Sequence, residues 1–506
     1  MPSETPEAPR WPVWERPLLV AVSAALIVGF GARAGAANAP PFGEDAVFWG
    51  ARAVFLAHGD INGGHPPLYP ALAALLHLLS GLSTLRAAQV LALVAGAALP
   101  AAMATLGAQL GGLKAGRWAG WLTLGLPTLL AWSTRVEPTS TLALAVVLLA
   151  IGLQRVAARE TDGIGASLGL GVLAGMLTGF KETGGVFGGL LIALYAGVMW
   201  NTSTGARKRR AGAAALGLGL GVAALTVFAA VGQPPDGLGG RVVMPVQQAW
   251  DLVVNGRAVN ALASPDVPGW IVPRPVRAVL GPHGGSAWMR AGGFAALQVV
   301  RTVAMIGPWV LGIAVTLWAA RRGGLGAAAT AAPAACFGRW LPITVLAAGM
   351  PLYFMVFQAR HIELAVLGAV LGVAQWLAKG LGTGGVKGQW LAGGTALVLA
   401  WGWTGLRLST VEVARAGFAV TCARDQQASL ERVGPLLPEG AAVCSDEPWI
   451  HVRDDAPVYP CDDVPDGWRI TGPSRAPGPG AISLGKGACT GPLFLVPPTS
   501  AAPAAR

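Results

Sequence analysis

Hydrophobic positions along this chain fall in long blocks rather than in strict alternation. Blocks near the length that an apolar helix needs to cross a bilayer occupy 17–35, 87–111, 118–132, 141–156, 164–180, 184–200, 211–231, 295–318, 340–357, 364–377 and 390–405. Between the first two blocks the chain is polar through Asn62 and then apolar over 68–82. That run is short for a crossing and is bounded by proline and glycine, so it reads as an interfacial or re-entrant helix. The pattern predicts an all-α polytopic membrane protein with about eleven transmembrane helices.

Composition agrees and narrows the class. Of 506 residues, 53% are hydrophobic and 12% charged, where a soluble domain carries about 25% charged residues. This excludes a soluble enzyme, a disordered chain and a disulfide miniprotein. The 72 glycines suit close helix–helix approach in lipid, or reflect a compositional bias of the genome.

The net charge of +11 is no nucleic-acid signal, because Lys and Arg sit in short clusters between the blocks, where they set membrane orientation. Lys114/Arg117, Arg155/Arg159, Arg207–Arg210, Arg321/Arg322/Arg339 and Lys379/Lys387 all fall on the cytoplasmic side if the N-terminus is inside and 68–82 does not cross. The outer segments are then 38–86, 133–140, 181–183, 232–294, 358–363 and 406–506. Ala37-Asn38-Ala39 has the small residues of a signal-peptide cleavage site, but Glu4, Glu7 and Glu15 precede the first block, which favours a retained helix. The expected organisation is a cytoplasmic segment 1–16, a membrane domain 17–405 and a small extracytoplasmic domain 406–506, disordered at its end.

Cysteine usage points the same way. Cys422, Cys444, Cys461 and Cys489 share the C-terminal segment, whereas Cys336 stands alone in an expected inner loop. An even set in a small polar segment reads as two disulfides in an oxidising compartment, with three pairings open. No Cys-x-x-Cys spacing suggests zinc, and no glycine-rich nucleotide loop suggests an ATP-driven pump.

Ionisable residues beside the membrane but outside the basic clusters are the candidates for chemistry. They gather on the outer side in four places. Glu44-Asp45 precede Arg52, His58, Asp60 and the run His65-Pro66-Pro67-Leu68-Tyr69-Pro70; the adjacent carboxylates read as a general base or a divalent-cation ligand, or as a solvated helix cap. Trp132-Ser133-Thr134-Arg135-Val136-Glu137-Pro138-Thr139 forms a short turn, read as a structural ion pair or as completion of an acidic site. In Gly179-Phe180-Lys181-Glu182-Thr183 and in Gln358-Ala359-Arg360-His361-Ile362-Glu363, Lys181 and Arg360 read as phosphate ligands or as interfacial anchors. Together, cations that stabilise a departing phosphate and a carboxylate that takes a proton are what transfer from a lipid-linked phosphate donor needs.

In this order, those residues resemble the GT-C superfamily of membrane glycosyltransferases, specifically the bacterial group related to protein O-mannosyltransferases and the aminoarabinose transferase of lipid A. The resemblance covers about 17–405 and rests on Glu44-Asp45, the stretch Ala51-Arg52 to Gly59-Asp60, the His65–Pro70 run, the Arg135–Glu137 turn, Lys181 at the end of its segment, and Arg360-His361. It implies a GT-C-type helical bundle with interfacial helices in the first outer loop, in a bacterial inner membrane. It implies transfer of a sugar from a polyprenyl-phosphate donor to a hydroxyl acceptor on the periplasmic side, with inversion. Asp45 or Glu44 matches the catalytic acidic position, Glu137 a supporting acid, and Arg52, His65, Lys181, Arg360 and His361 donor-phosphate contacts. No cofactor is required; a divalent metal fits, although lysine and arginine can supply that charge. Two departures stand out. Glu137-Pro138 replaces a frequent aspartate, and Phe48 a frequent tyrosine. The loop 232–294 and the cysteine-bearing tail match no pattern, which leaves the acceptor open. The rivals are a transporter or lipid flippase, expected to place charges near the bilayer midplane, and a non-catalytic envelope assembly protein.

Overall fold

The computed structural model describes residues 14–35, 52–53, 56–57, 66–159, 163–201, 205–231, 286, 288–289, 292–293, 303, 306–322, 325, 332–356, 359–379, 385–413, 420–421, 424, 428, 431–438, 441, 443–445, 459–460, 467–472, 480–487 and 491–498. Its helices are α1 (Glu15–Arg33), α2 (Leu68–Ser80), α3 (Thr84–Thr123), α4 (Pro127–Trp132), α5 (Thr139–Ala158), α6 (Ile164–Met176), α7 (Glu182–Asn201), α8 (Gly205–Val231), α9 (Trp309–Arg321), α10 (Ala332–Val356), α11 (Ala359–Lys379) and α12 (Gly385–Arg407). Among the described residues, five helices (α1, α3, α5, α7 and α8) are long and apolar enough to cross a membrane; α2, α6, α9 and α11 are shorter apolar helices. The chain is a multi-pass membrane protein.

The sequence suggested separate blocks at 87–111 and 118–132, and the structure joins them by a sharper device. α3 reverses at Gly112, whose φ of 79° and ψ of 180° lie where only glycine is comfortable. The leg after Gly112 folds back on the leg before it: a Cβ on Gly107 would lie 2.8 Å from the Ala119 Cβ. Small side chains on facing legs make that approach possible without hydrophobic driving force. Pro127, near the start of α4, ends the return leg, since the residue before a proline is pushed to extended backbone; Leu126 adopts φ −108° and ψ 98°.

Glycine also joins α6 to α8. Gly171 and Gly175 face the carbonyls of Ala214 and Leu218, while Gly217 and Gly221 face those of Leu168 and Val172. Two small-x-x-x-small faces therefore meet backbone to backbone. Part of the glycine content thus packs helices. A main core of residues from α3, α5, α7, α10 and α11, among them Leu106, Leu149, Phe187, Phe337 and Leu367, runs along the bundle.

The bundle has two chemically different ends. At one, the basic end, Arg117 forms a two-point ion pair with Glu15 at the start of α1. Arg210 donates to the Arg159 carbonyl at 2.9 Å, Lys208 lies over the Trp200 ring and Arg322 over that of Trp318. The far end carries the turns 133–138 and 177–181 and the start of α2.

Beyond α12 a π-helical turn, Leu408–Glu412, packs Leu408 against Ile27, Phe30, Leu130 and Ala131 of α1 and α4. The C-terminal segment then forms a mixed sheet ordered β2-β1-β3-β5-β4, with β1 Val443–Ser445, β2 Tyr459–Pro460, β3 Trp468–Thr471, β4 Ile482–Gly487 and β5 Gly491–Val496. Strand β1 pairs in parallel with β2 and β3, and β5 runs antiparallel to both β3 and β4. Its core is Val433, Val443, Ile470, Leu484, Leu493 and Leu495. Cys444 is buried in β1, Cys336 is the free thiol among the described residues, and Cys422, Cys461 and Cys489 lie outside them.

Candidate active site

Two of the segments singled out in the sequence meet at the far end. The turn between α4 and α5 holds Glu137, 1% exposed; the break between α6 and α7 holds Lys181, 7% exposed. The Lys181 Nζ lies 3.2 Å from Glu137 Oε1, and the same oxygen accepts the Thr139 hydroxyl at 3.0 Å. The sequence set Glu137 beside Arg135. In the structure its carboxylate turns to Lys181, forty-four positions away, while the Arg135 guanidinium lies 4.5 Å over the Trp132 ring.

Local structure dictates this meeting. α6 ends in a 3-10 turn, Leu177–Gly179, and α7 begins directly after Lys181, with the Gly184 N–H bonded to the Lys181 carbonyl at 2.8 Å. So tight a reversal allows no bulk at Gly179, where a Cβ would lie 2.9 Å from the Leu68 Cβ. That contact seats the start of α2 on the same turn. Prolines 66 and 67, both buried, deliver the chain into α2, and Tyr69 is fully buried with its hydroxyl donating 2.8 Å to the Ala88 carbonyl. Burial, and next the nearby Glu137 carboxylate, push the Tyr69 phenol well above its ordinary value; it is a neutral hydrogen-bonding group. Gln89 ties the same turn to α3 through the Thr134 carbonyl at 2.9 Å.

Arg52, 2% exposed, is helical together with Ala53, which belongs to the main core. Arg360 and His361 lie in the first turn of α11. The other end of that helix places Gln375 against Gly111, beside the Gly112 reversal at the basic end. Fifteen residues of helix span about 22 Å, so Arg360 and His361 start from the far end as well. Glu44, Asp45 and His65, with Phe48, His58 and Asp60, lie outside the described residues, as does most of 232–294.

Sequence reasoning missed Arg407. It is 8% exposed and precedes the π-helical turn on α1 and α4, hence also at the far end. Its signal was available: a basic residue at the end of an apolar block, on the side opposite the basic clusters. Tyr69 and Thr139 stood inside quoted stretches without a role. Among the described residues no group of three His, Cys, Asp or Glu side chains is placed to hold a metal ion.

Chemically, an ammonium offers three donors in a compact charge, and here one of them is fixed by a buried carboxylate. Removing either partner takes the ion pair from a charge in a poorly solvated place, at roughly 3–5 kcal/mol.

No protein-family model matches the sequence, and no curated protein matches it. Among solved structures, the chain is similar to an oligosaccharyltransferase from Archaeoglobus fulgidus tethered to an acceptor peptide with the NVT sequon, at 12% identity and a TM-score of 0.50, over 88% of this chain. It spans 64% of that chain's length. It is also similar to ArnT from Cupriavidus metallidurans in the apo state, at 13% identity and a TM-score of 0.46 over 94% and 97% of the two chains. The ArnT structure bound to undecaprenyl phosphate gives 12% identity and a TM-score of 0.47. At these identities the likeness is one of fold.

Proposed function

We propose that this chain, which has the fold of the GT-C membrane glycosyltransferases, transfers a sugar from a polyprenyl-phosphate donor to a hydroxyl of a lipid, glycan or protein. The reading is carried by one observation, the buried Glu137–Lys181 pair at 3.2 Å at the far end of the bundle. An apolar surface lies further along α2, whose first turn touches the pair's surroundings: Leu75, Leu78 and Leu79 are 51%, 66% and 77% exposed. A fixed cation at one end of a helix that exposes leucines along its length suits a substrate with a charged head and an isoprenoid tail.

In this reading Lys181 holds the donor phosphate as the sugar leaves, with Arg52, His65, Arg360 and His361 as further contacts. Glu137 holds Lys181 in place and takes it back on release. Asp45 or Glu44 accepts the proton of the attacking hydroxyl, and attack from the face opposite the phosphate gives inversion. Eleven crossings with an inside N-terminus put the far end in the periplasm and the sheet outside the membrane. The tail cysteines then meet an oxidising compartment and pair. Transport fits less well, because Arg135, Glu137, Lys181 and Arg407 are buried at the far end and Arg210 at the basic end.

The test is a membrane-fraction assay with radiolabelled polyprenyl-phosphate sugars. Wild type is expected to transfer label, and Asp45→Asn and Lys181→Ala to lose on the order of a hundredfold or more. Equal transfer by all three overturns the proposal.

A further inference from the structure

Several threonines inside the helices of this protein dispose of their hydroxyls locally, whereas Thr139 donates to Glu137 and the Oγ1 of Thr141, like that of Thr183, has no hydrogen-bond partner. Thr105, Thr123, Thr226, Thr316 and Thr404 each donate to the carbonyl four residues earlier, at 2.6–2.9 Å. Thr183 has no such outlet. It occupies the first turn of α7, and its fourth preceding residue, Gly179, belongs to the 3-10 turn before the chain joins that helix. Its side chain is 93% buried, being 7% exposed, and its Oγ1 has no hydrogen-bond partner.

The placement of that residue follows from helical periodicity. Thr183 opens the stripe Thr183, Phe187, Leu191, Tyr195, all buried, so its position lies on the interior face of α7. It stands two positions after Lys181, at the end where Glu137 meets that lysine. A helix N-terminus presents backbone donors and the positive end of its dipole to an anion. A buried hydroxyl left without a partner calls for an explanation in a native structure.

We propose that Thr183 is a second ligand of the anionic group that Lys181 attracts, its Oγ1–H donating to a phosphate oxygen while the start of α7 faces the same charge. This rests on the donor reading above and adds a residue to it. The oxyanion is that of a phosphate monoester or diester. Lys181 supplies charge, and Thr183 supplies a fixed direction.

The experiment compares wild type, Thr183→Val, Thr183→Ser and, as a control, Thr226→Val, each full length in detergent. The probes are farnesyl phosphate, inorganic phosphate and farnesol; the readouts are affinity and thermal midpoint. Thr183→Val is expected to weaken farnesyl phosphate about tenfold, the worth of a hydrogen bond to a charged group, with its thermal midpoint unchanged or raised, because a buried unsatisfied hydroxyl has been removed. Thr183→Ser should stay within about threefold of wild type, since the donor is kept, and Thr226→Val should match wild type. Farnesol, which carries no oxyanion, should not distinguish Thr183→Val from wild type. Inorganic phosphate weakened in parallel assigns the site to the oxyanion alone, whereas an effect confined to farnesyl phosphate assigns it to the lipid headgroup; either supports the ligand role. Equal farnesyl phosphate affinity for wild type and Thr183→Val overturns the inference and leaves the donor reading standing. A lowered midpoint with lost affinity makes the hydroxyl structural and also overturns it. No binding of farnesyl phosphate by wild type removes both.

Discussion

The two ends of the bundle handle charge in opposite ways. At the basic end most cations are solvent-reaching: Arg117 is 45% exposed in its pair with Glu15, and Lys208 and Arg322 lie over exposed tryptophans. Long stems lie along apolar surface while the charges stay wet. At the far end Arg135, Glu137, Lys181 and Arg407 are all at most 8% exposed. A charge kept only for orientation has no reason to lose its water, because desolvation costs several kcal/mol per ion. Burial is thus common to the far-end charges, while at the basic end it falls on Arg210.

The sharpest way to break this comparison is to delete one charge at each end. Lys181→Met should destabilise the protein by about 3–5 kcal/mol by removing the ion pair of the buried Glu137, read as a lowered unfolding midpoint in detergent. Adding Glu137→Gln should recover most of that stability without restoring sugar transfer. Recovery of transfer in the double variant would make the pair purely structural. Next in size is Tyr69→Phe, which removes a fully buried hydroxyl from the Ala88 carbonyl. It should lower stability by about 1–3 kcal/mol and reduce turnover through the displaced Arg135–Glu137 turn. An unchanged midpoint would uncouple α2 from that turn. At the basic end, Arg117→Gln should cost at most about 1 kcal/mol, the range for exposed ion pairs, and leave turnover alone. A larger loss would erase the contrast between the ends.

Much of this was legible in the order of apolar blocks. Glu137 and Lys181 stood out because each occupies a connection too short to be a solvated loop. Their partnership did not, since Arg135 is the nearer cation in sequence; what decides is the 3-10 turn at Leu177–Gly179, which points Lys181 across the bundle. Arg407 was passed over because it stands alone after the last block, outside the short polar connections that drew attention to Glu137 and Lys181. Thr183 was hidden because an unsatisfied hydroxyl is a property of surroundings, which a string of letters does not carry. The strand pairing of the tail was equally out of reach, since its short apolar runs fit several registers.

The Gly112 reversal also bears on how the chain is made. A turn confined to a single residue leaves nothing between the two legs of α3 that could rest in water while one of them waits. We predict that the two legs enter lipid as one hairpin, and that a longer, polar spacer inserted at Gly112 lets each leg insert alone.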